Sequence, residues 1–341
     1  MNKRKYELSF LNVVFCLLVI FIHTVSHLLS SLDIQTNTYS LVLLPWRLSS
    51  FVVQGFIFLS GLKMFLSKSD NFSYPSYLYK RFKSIILPYI AWFFIYYIFF
   101  MIYYKYPLDI KFIFSNLITG NLVYHLYFVV IIAQFYILAP LWRLIVNKLS
   151  VKIVIPLSAL LMIYLEYANF VKPAISFKYY DRVFTTYLLY WIMGCYAGKY
   201  YDSFKSYIKS HSKIITAIFS FSVLSDGVLS LLAYKSLQWI PRLGLIHTIY
   251  CICAILFLFS VSLKIPLWAY ESSRLMPLID KCSYQVYLSH CLVIYAIDKL
   301  LSICGIANVF LMFIVRFIFV YSITLTFNIL YQEKIRPKLY K

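Results

Sequence analysis

The chain has 341 residues, of which 62% are hydrophobic, 20% aromatic and only 13% charged, whereas a soluble domain carries about 45–50% apolar and about 25% charged residues. No water-soluble fold hides that much apolar surface. A net charge of +20 would also suit a nucleic-acid binder, but the basic residues lie between long apolar runs, as in membrane-flanking loops, so the expected partner is a lipid bilayer and no nucleic acid. With eight glycines and no repeat of fixed period, residues 1–341 read as a single domain.

Lys3, Arg4 and Lys5 precede an apolar run that is too long for a signal-peptide core and has no small-residue cleavage site, so it reads as a retained first helix. Crossing ~30 Å of hydrocarbon takes about 20 mainly apolar helical residues. Ten segments qualify: Leu8 to Ser31, Leu43 to Leu66, Ser84 to Tyr104, Val123 to Ile145, Val151 to Phe170, Val183 to Tyr201, Ile214 to Tyr234, Leu243 to Leu263, Cys282 to Leu300, and Ile306 to Tyr331. The expected fold is therefore all-α, a polytopic membrane bundle of about ten transmembrane helices. With Arg47, Lys63 and Arg316 set aside as lying within spans, and Arg143, Lys152, Lys199 and Lys299 at span ends counted to the nearer side, the other 29 of the 32 Lys and Arg divide into 21 on the side of the N-terminus and 8 on the opposite side. The positive-inside bias then puts both termini in the cytoplasm, with the loops Lys68 to Lys83 and Lys199 to Lys213 and the tail Lys334 to Lys341. Trp46, Tyr103, Tyr104, Tyr124, Tyr200, Tyr201 and Trp239 at span ends fit interfacial belts, and equally fit ordinary packing.

Cys16, Cys195, Cys251, Cys253, Cys282, Cys291 and Cys304 form no C-x-x-C pair and no metal-ligand spacing with histidine, so they read as small packing residues and no metal is expected. A charge at the bilayer centre costs at least about 2.5–3.5 kcal/mol, which makes each intramembrane ionisable residue a functional candidate. These are His23, His27, Arg47, Lys63, His125, Glu166, Asp226, His247, His290 and Arg316. On the orientation above, His23, Arg47, His125, Glu166, Asp226 and His247 fall in the outer half, as if lining a polar cavity that opens outward. A histidine near a span end is ordinarily a helix-to-helix hydrogen-bonding residue, and His27 and His247 are left with that reading. His23 lies deeper, and neutral imidazole is the side chain best suited to take a proton near neutral pH. Glu166 and Asp226 are the depth-matched carboxylates for orienting it. Tyr287 and His290, three residues apart, share a helix face and line a cavity together.

Lys80, Arg81 and Lys83 stand at the inner mouth of the third span, before Pro88 and Tyr89. Topological charge and contact with anionic lipid account for them fully; phosphate binding accounts for them as well. In the second reading they hold the 3′-phospho-ADP head of coenzyme A while the pantetheine arm reaches inward.

Several motifs in chain order resemble the integral-membrane acyltransferase 3 family, which acylates cell-surface polysaccharides and related molecules. That family usually carries an arginine, ten residues and a histidine in its first span; here the histidine is His23 and Asn12 stands at the arginine position. Phe56 to Gly61, an aromatic run into Ser60-Gly61, resembles its second-span signature. Lys80-Arg81-Phe82-Lys83 resembles its arginine-x-x-arginine pair, with lysines at the paired positions. His125-Leu126-Tyr127-Phe128 with Tyr136 and Pro140 resembles its His-Leu-Trp-Phe segment, Gly194 and Gly198 its glycine-rich span end, and Ser283-Tyr284-x-x-Tyr287-Leu288-x-His290 its Ser-Tyr-x-x-Tyr-Leu-x-His signature. Each motif alone is weak, and their shared order along almost the whole chain is the stronger signal.

The resemblance implies ten spans, an acyl-CoA (acetyl-CoA) co-substrate with no bound cofactor, a glycan or other hydroxyl acceptor, His23 as the essential histidine, and donor contacts from Lys80, Arg81 and Lys83. Ser60, His125, Glu166, Asp226, Tyr287 and His290 are the candidate cavity and acceptor residues. Gly61 is expected to permit close helix packing, and Ser60 to bond across helices or to meet substrate. The expected location is the cell membrane, and a composition rich in Lys, Ile, Tyr and Phe is associated with AT-rich bacterial genomes. A polysaccharide exporter or flippase is the alternative from another class, although no broken-helix pair or repeat symmetry supports it. A structural subunit of a glycan-synthesis complex is a third, which the buried histidines disfavour.

Overall fold

A computed structural model describes residues 5–66, 72–171, 179–236 and 243–335, and among them there is no β-strand. Lys3, Arg4, Trp239, the start of the Lys68 to Lys83 loop and the tail beyond residue 335 lie outside the described residues. In chain order the α-helices are α1 (Tyr6–Ser31), α2 (Asn37–Ser49), α3 (Val52–Leu66), α4 (Tyr74–Arg81), α5 (Leu87–Tyr104), α6 (Ile110–Thr119), α7 (Tyr127–Ile137), α8 (Ala139–Lys148), α9 (Val151–Val171), α10 (Leu188–Lys199), α11 (Tyr201–Ser210), α12 (Ser212–Ser236), α13 (Leu243–Lys264), α14 (Leu267–Ser272), α15 (Leu275–Ile303) and α16 (Val309–Leu330).

Eight helical stretches among the described residues are long and apolar enough to cross a membrane, and α7 with α8 makes a ninth if a bent pair counts as one span. Helices close their own backbone hydrogen bonds, which is what permits them in hydrocarbon. Their polar side chains do likewise: Thr24 and Ser26 donate back to the carbonyls of Ile20 and Ile22. Large apolar residues stay exposed along α9 (Leu157, Leu160, Tyr164) and α16 (Phe310, Ile314, Ile318, Phe327). Faces of that size are unfavourable in water and suited to lipid, so the chain is a multi-pass membrane protein.

Two expected spans take other forms. Val123 to Ile145 is broken between α7 and α8 by 59°. Pro140 lacks an N–H and its ring displaces the carbonyl four residues back; the indole N–H of Trp142 donates to the carbonyl of Phe135 at 2.9 Å and satisfies the broken end. Val183 to Tyr201 is a 3-10 turn, Phe184–Tyr187, followed by the 12-residue α10. Between α4 and α5 a π-helical stretch, Phe82–Ile86, leads into Pro88 and takes up the change in hydrogen bonding that proline imposes.

The chain divides into two compact units, residues 1–56 with 203–341, and residues 57–202. In the first, α1 and α15 pair in parallel, because Ser9 meets Asp280, Asn12 meets Ser283 and His23 meets His290. α2 and α12 run antiparallel: the Gln35 side chain bonds the carbonyl of Lys235, and Arg47 meets Ser230 and Asp226. α16 returns against α15, with Asn328 bonded to Ser289 at 2.8 Å and the guanidinium of Arg316 paired to Asp298. In the second unit, α3 and α10 approach through glycine. A Cβ on Gly61 would lie 2.6 Å from the carbonyl oxygen of Trp191, one on Gly194 2.1 Å from that of Phe58, and one on Gly198 2.2 Å from that of Leu62. The expectation of close packing at Gly61 is thus met, with the two downstream glycines as its counterpart.

Candidate active site

α1 and α15 carry the densest polar cluster of the first unit. The Ser9 hydroxyl donates to Asp280 Oδ2 at 2.7 Å, and Asn12 Nδ2 donates to Asp280 Oδ1 at 2.8 Å and to Ser283 Oγ at 2.7 Å. Further along the same pair, the His23 and His290 rings lie 5.1 Å apart between centroids, tilted by 32°. His290 is fully buried, with Nδ1 2.7 Å from the carbonyl of Tyr287. A carbonyl only accepts, so Nδ1 carries the hydrogen and Nε2 is the basic nitrogen, 3.2 Å from Cys291 Sγ. The Tyr287 ring, 6.1 Å from that of His290, covers the same face, as their spacing led one to expect. His23 is half-buried. Of the two imidazoles it is the less buried, and His290 backs it.

At the N-terminal ends of these helices a recess of about 230 Å³ is lined by Tyr6, Ser9, Tyr270, Glu271, Ser273, Met276 and Pro277. Burial, and then the Glu7 carboxylate, pushes the Tyr270 phenol up to about 12, and its hydroxyl donates to the carbonyl of Ser262 at 2.8 Å. Among the described residues no Lys or Arg lines the recess.

Asp226 is fully buried, and its carboxylate is engaged by residues that sequence reasoning did not join to it. His247 Nδ1 lies 3.1 Å from both carboxylate oxygens, and Arg47 approaches Oδ1 at 3.6 Å while its Nε donates to Ser230 Oγ at 3.1 Å. Asp226 therefore orients His247 rather than His23. His247 was expected to be an interfacial or helix-to-helix hydrogen-bonding residue, and its bond from α13 to Asp226 of α12 is of the second kind; the signal that could have joined the group was the coincidence of Arg47, Asp226 and His247 at one depth. Arg316, a second buried cation, finds its partner in Asp298, which charge-by-depth reasoning left out.

In the second unit the basic residues divide. Arg81 is half-buried, its guanidinium carbon 5.1 Å from the Tyr77 ring centre and 4.9 Å from that of Tyr136, a cation–π contact with each. Lys80 and Lys83 are exposed. Tyr77 and Tyr136 meet edge to face, 6.1 Å apart between ring centres, so both lie to one side of the guanidinium, and the π-helical turn re-aims the residues after Arg81 relative to α4. His125 is buried, 5.6 Å from Tyr96 between ring centres. Ser60 is half-buried on α3 beside the glycine contact, and Glu166 is exposed on α9.

A family model described as an acyltransferase domain matches residues 5–332. No curated protein and no solved structure gives a significant match.

Proposed function

Because the chain belongs to the acyltransferase 3 family of integral-membrane acyltransferases, we propose that this membrane acyltransferase moves an acyl group, acetyl in the first instance, from acyl-CoA to a hydroxyl of a cell-surface glycan or related acceptor. His23 is the general base. The observation that carries the reading is a half-buried imidazole on α1 backed by the buried His290 of α15, in helices joined through Asn12, Asp280 and Ser283. His23 takes the proton of the acceptor hydroxyl as its oxygen attacks the thioester carbonyl. The C–S bond then breaks, and the departing thiolate receives the proton from the imidazolium. Arg81, Lys80 and Lys83 hold the phosphates of the donor from the cytoplasmic side, and the protein resides in a bacterial cell membrane. Ser60, His125, Glu166, Asp226 and Tyr287 stay as cavity and acceptor candidates of lower rank.

The test is transfer of labelled acetyl from acetyl-CoA in membranes, with mass spectrometry of the surface glycans. General-base loss costs about 10²–10⁴-fold, so His23→Ala is expected to abolish detectable acylation at unchanged protein abundance. Retained acylation in that variant overturns the role. Replacing Lys80 and Lys83 together by Gln is expected to raise KM for acyl-CoA while leaving kcat near the wild-type value.

A further inference from the structure

Ser50 lies at the junction of α2 and α3, facing the pair formed by Asp226 and His247. Its Oγ is 3.0 Å from His247 Nε2, and His247 Nδ1 is 3.1 Å from both oxygens of Asp226. A carboxylate accepts hydrogen bonds, so Nδ1 bears the hydrogen and Nε2 presents its lone pair to the serine. Exposure is graded as a nucleophile needs: Asp226 is fully buried, while Ser50 and His247 are half-buried. The serine proton has two acceptors in reach, Nε2 and the carbonyl of Arg47 at 2.7 Å, and rotation about the Cβ–Oγ bond exchanges them. The imidazole stacks on Tyr250, whose hydroxyl bonds the carbonyl of Leu48, so the ring is held by a neighbour that is itself anchored to α2.

We infer that Ser50, His247 and Asp226 form a nucleophilic triad that carries an acyl group on Ser50, taken from a carboxylic thioester; the choice of thioester rests on the acyltransferase reading above. Such triads are recognised by geometry and role, and these three residues come from three separate helical segments. His247 Nε2 takes the hydroxyl proton as Oγ bonds to the carbonyl carbon. The C–S bond breaks, and the thiolate leaves with the proton from Nε2. The acyl-serine is then attacked by water, whose proton passes through His247 back to Ser50 as the carboxylic acid leaves. Asp226 is a positioning residue: it holds the tautomer and stabilises the transient imidazolium. Arg47 gives the buried carboxylate a cationic partner.

The experiment uses the full chain purified in detergent and a fluorophosphonate probe, which requires no thioester, with peptide mass spectrometry to locate the adduct. Wild type is expected to be labelled at Ser50, Ser50→Ala to lose that adduct, and Asp226→Asn to label at least about a hundredfold more slowly. His23→Ala is expected to label as wild type does, which separates this site from the one on α1. Absence of a Ser50 adduct in monodisperse, helical wild-type protein overturns the inference and leaves the cluster as a polar brace. Labelling at Ser50 without consumption of acyl-CoA upholds the nucleophile and refutes the donor. Consumption of acyl-CoA without labelling does the reverse.

Discussion

Asn12 shows how one residue's chemistry depends on what faces it. An asparagine at a position where the family usually carries arginine cannot form an ion pair, yet its amide bonds both Asp280 and Ser283. Removing that amide leaves acceptors short of a donor, and an unsatisfied buried polar group costs about 1–3 kcal/mol. Asn12→Ala is therefore expected to lower the thermal midpoint in detergent, and Asn12→Asp to lower it further by setting two carboxylates together. Asn12→Arg, which gives Asp280 a cation, is expected to be better tolerated than Asn12→Asp; the reverse order in a melting series would refute the Asp280 contact. The histidines make the same point. His23 stood out from depth alone, whereas His247 did not, because what distinguishes it is a carboxylate 21 positions earlier in the chain and a serine almost 200 positions earlier.

At the scale of elements, the contact of α3 with α10 is set by the space glycine leaves. A methyl group on Gly194 would sit 2.1 Å from a backbone carbonyl, which cannot swing aside as a side chain could. Gly194→Ala must then push two helices apart. Gly305 is a useful contrast: its φ of +69° disfavours a side chain, but a Cβ there meets nothing within 4 Å, so Gly305→Ala costs only backbone strain of about 1 kcal/mol. A larger loss of midpoint in Gly194→Ala than in Gly305→Ala is expected, and equal losses would mean that the helices separate freely. The motif Ser60-Gly61 and the glycines at 194 and 198 were visible in the sequence, whereas the break at Pro140 was not, since Val123 to Ile145 read as one span. That Gly194 and Gly198 serve Gly61's helix was not, since close approach is a property of two segments together.

For the whole molecule, helix directions constrain the path through the bilayer. Since α1 lies parallel to α15, and α2 antiparallel to α12, the chain between α3 and α12 crosses an even number of times. Two long apolar stretches, Tyr74–Tyr104 and Val151–Ala168, lie in that interval, together with the bent pair and the short α10. On that parity both of the latter are expected to cross or neither, giving ten spans or eight. Arg143, Lys148 and Lys152 around the α8–α9 turn favour ten by charge, because ten spans put that turn on the N-terminal side. A cysteine at the exposed Ser150, in a background with Cys304 replaced by Ser, is expected to resist a membrane-impermeant maleimide in intact cells. Labelling from outside would indicate eight spans.

What the sequence by itself determined follows from quantities that add along a chain. Apolar length yields spans, the Lys and Arg count on each side yields an orientation, and motif order yields the family. The apolar spans and the family are met, because transfer to a bilayer is a local free energy summed residue by residue and motif order is carried by the chain itself. Only the tertiary structure decided which polar groups meet: that Asp226 belongs to His247 and Arg47, that Arg316 answers Asp298, that Arg81 packs against Tyr77 and Tyr136 while its lysine neighbours stay exposed, and that Asn12 bonds Asp280. Hydrogen bonds and ion pairs act over about 3–4 Å, between residues whose distance along the chain says nothing of their distance in space.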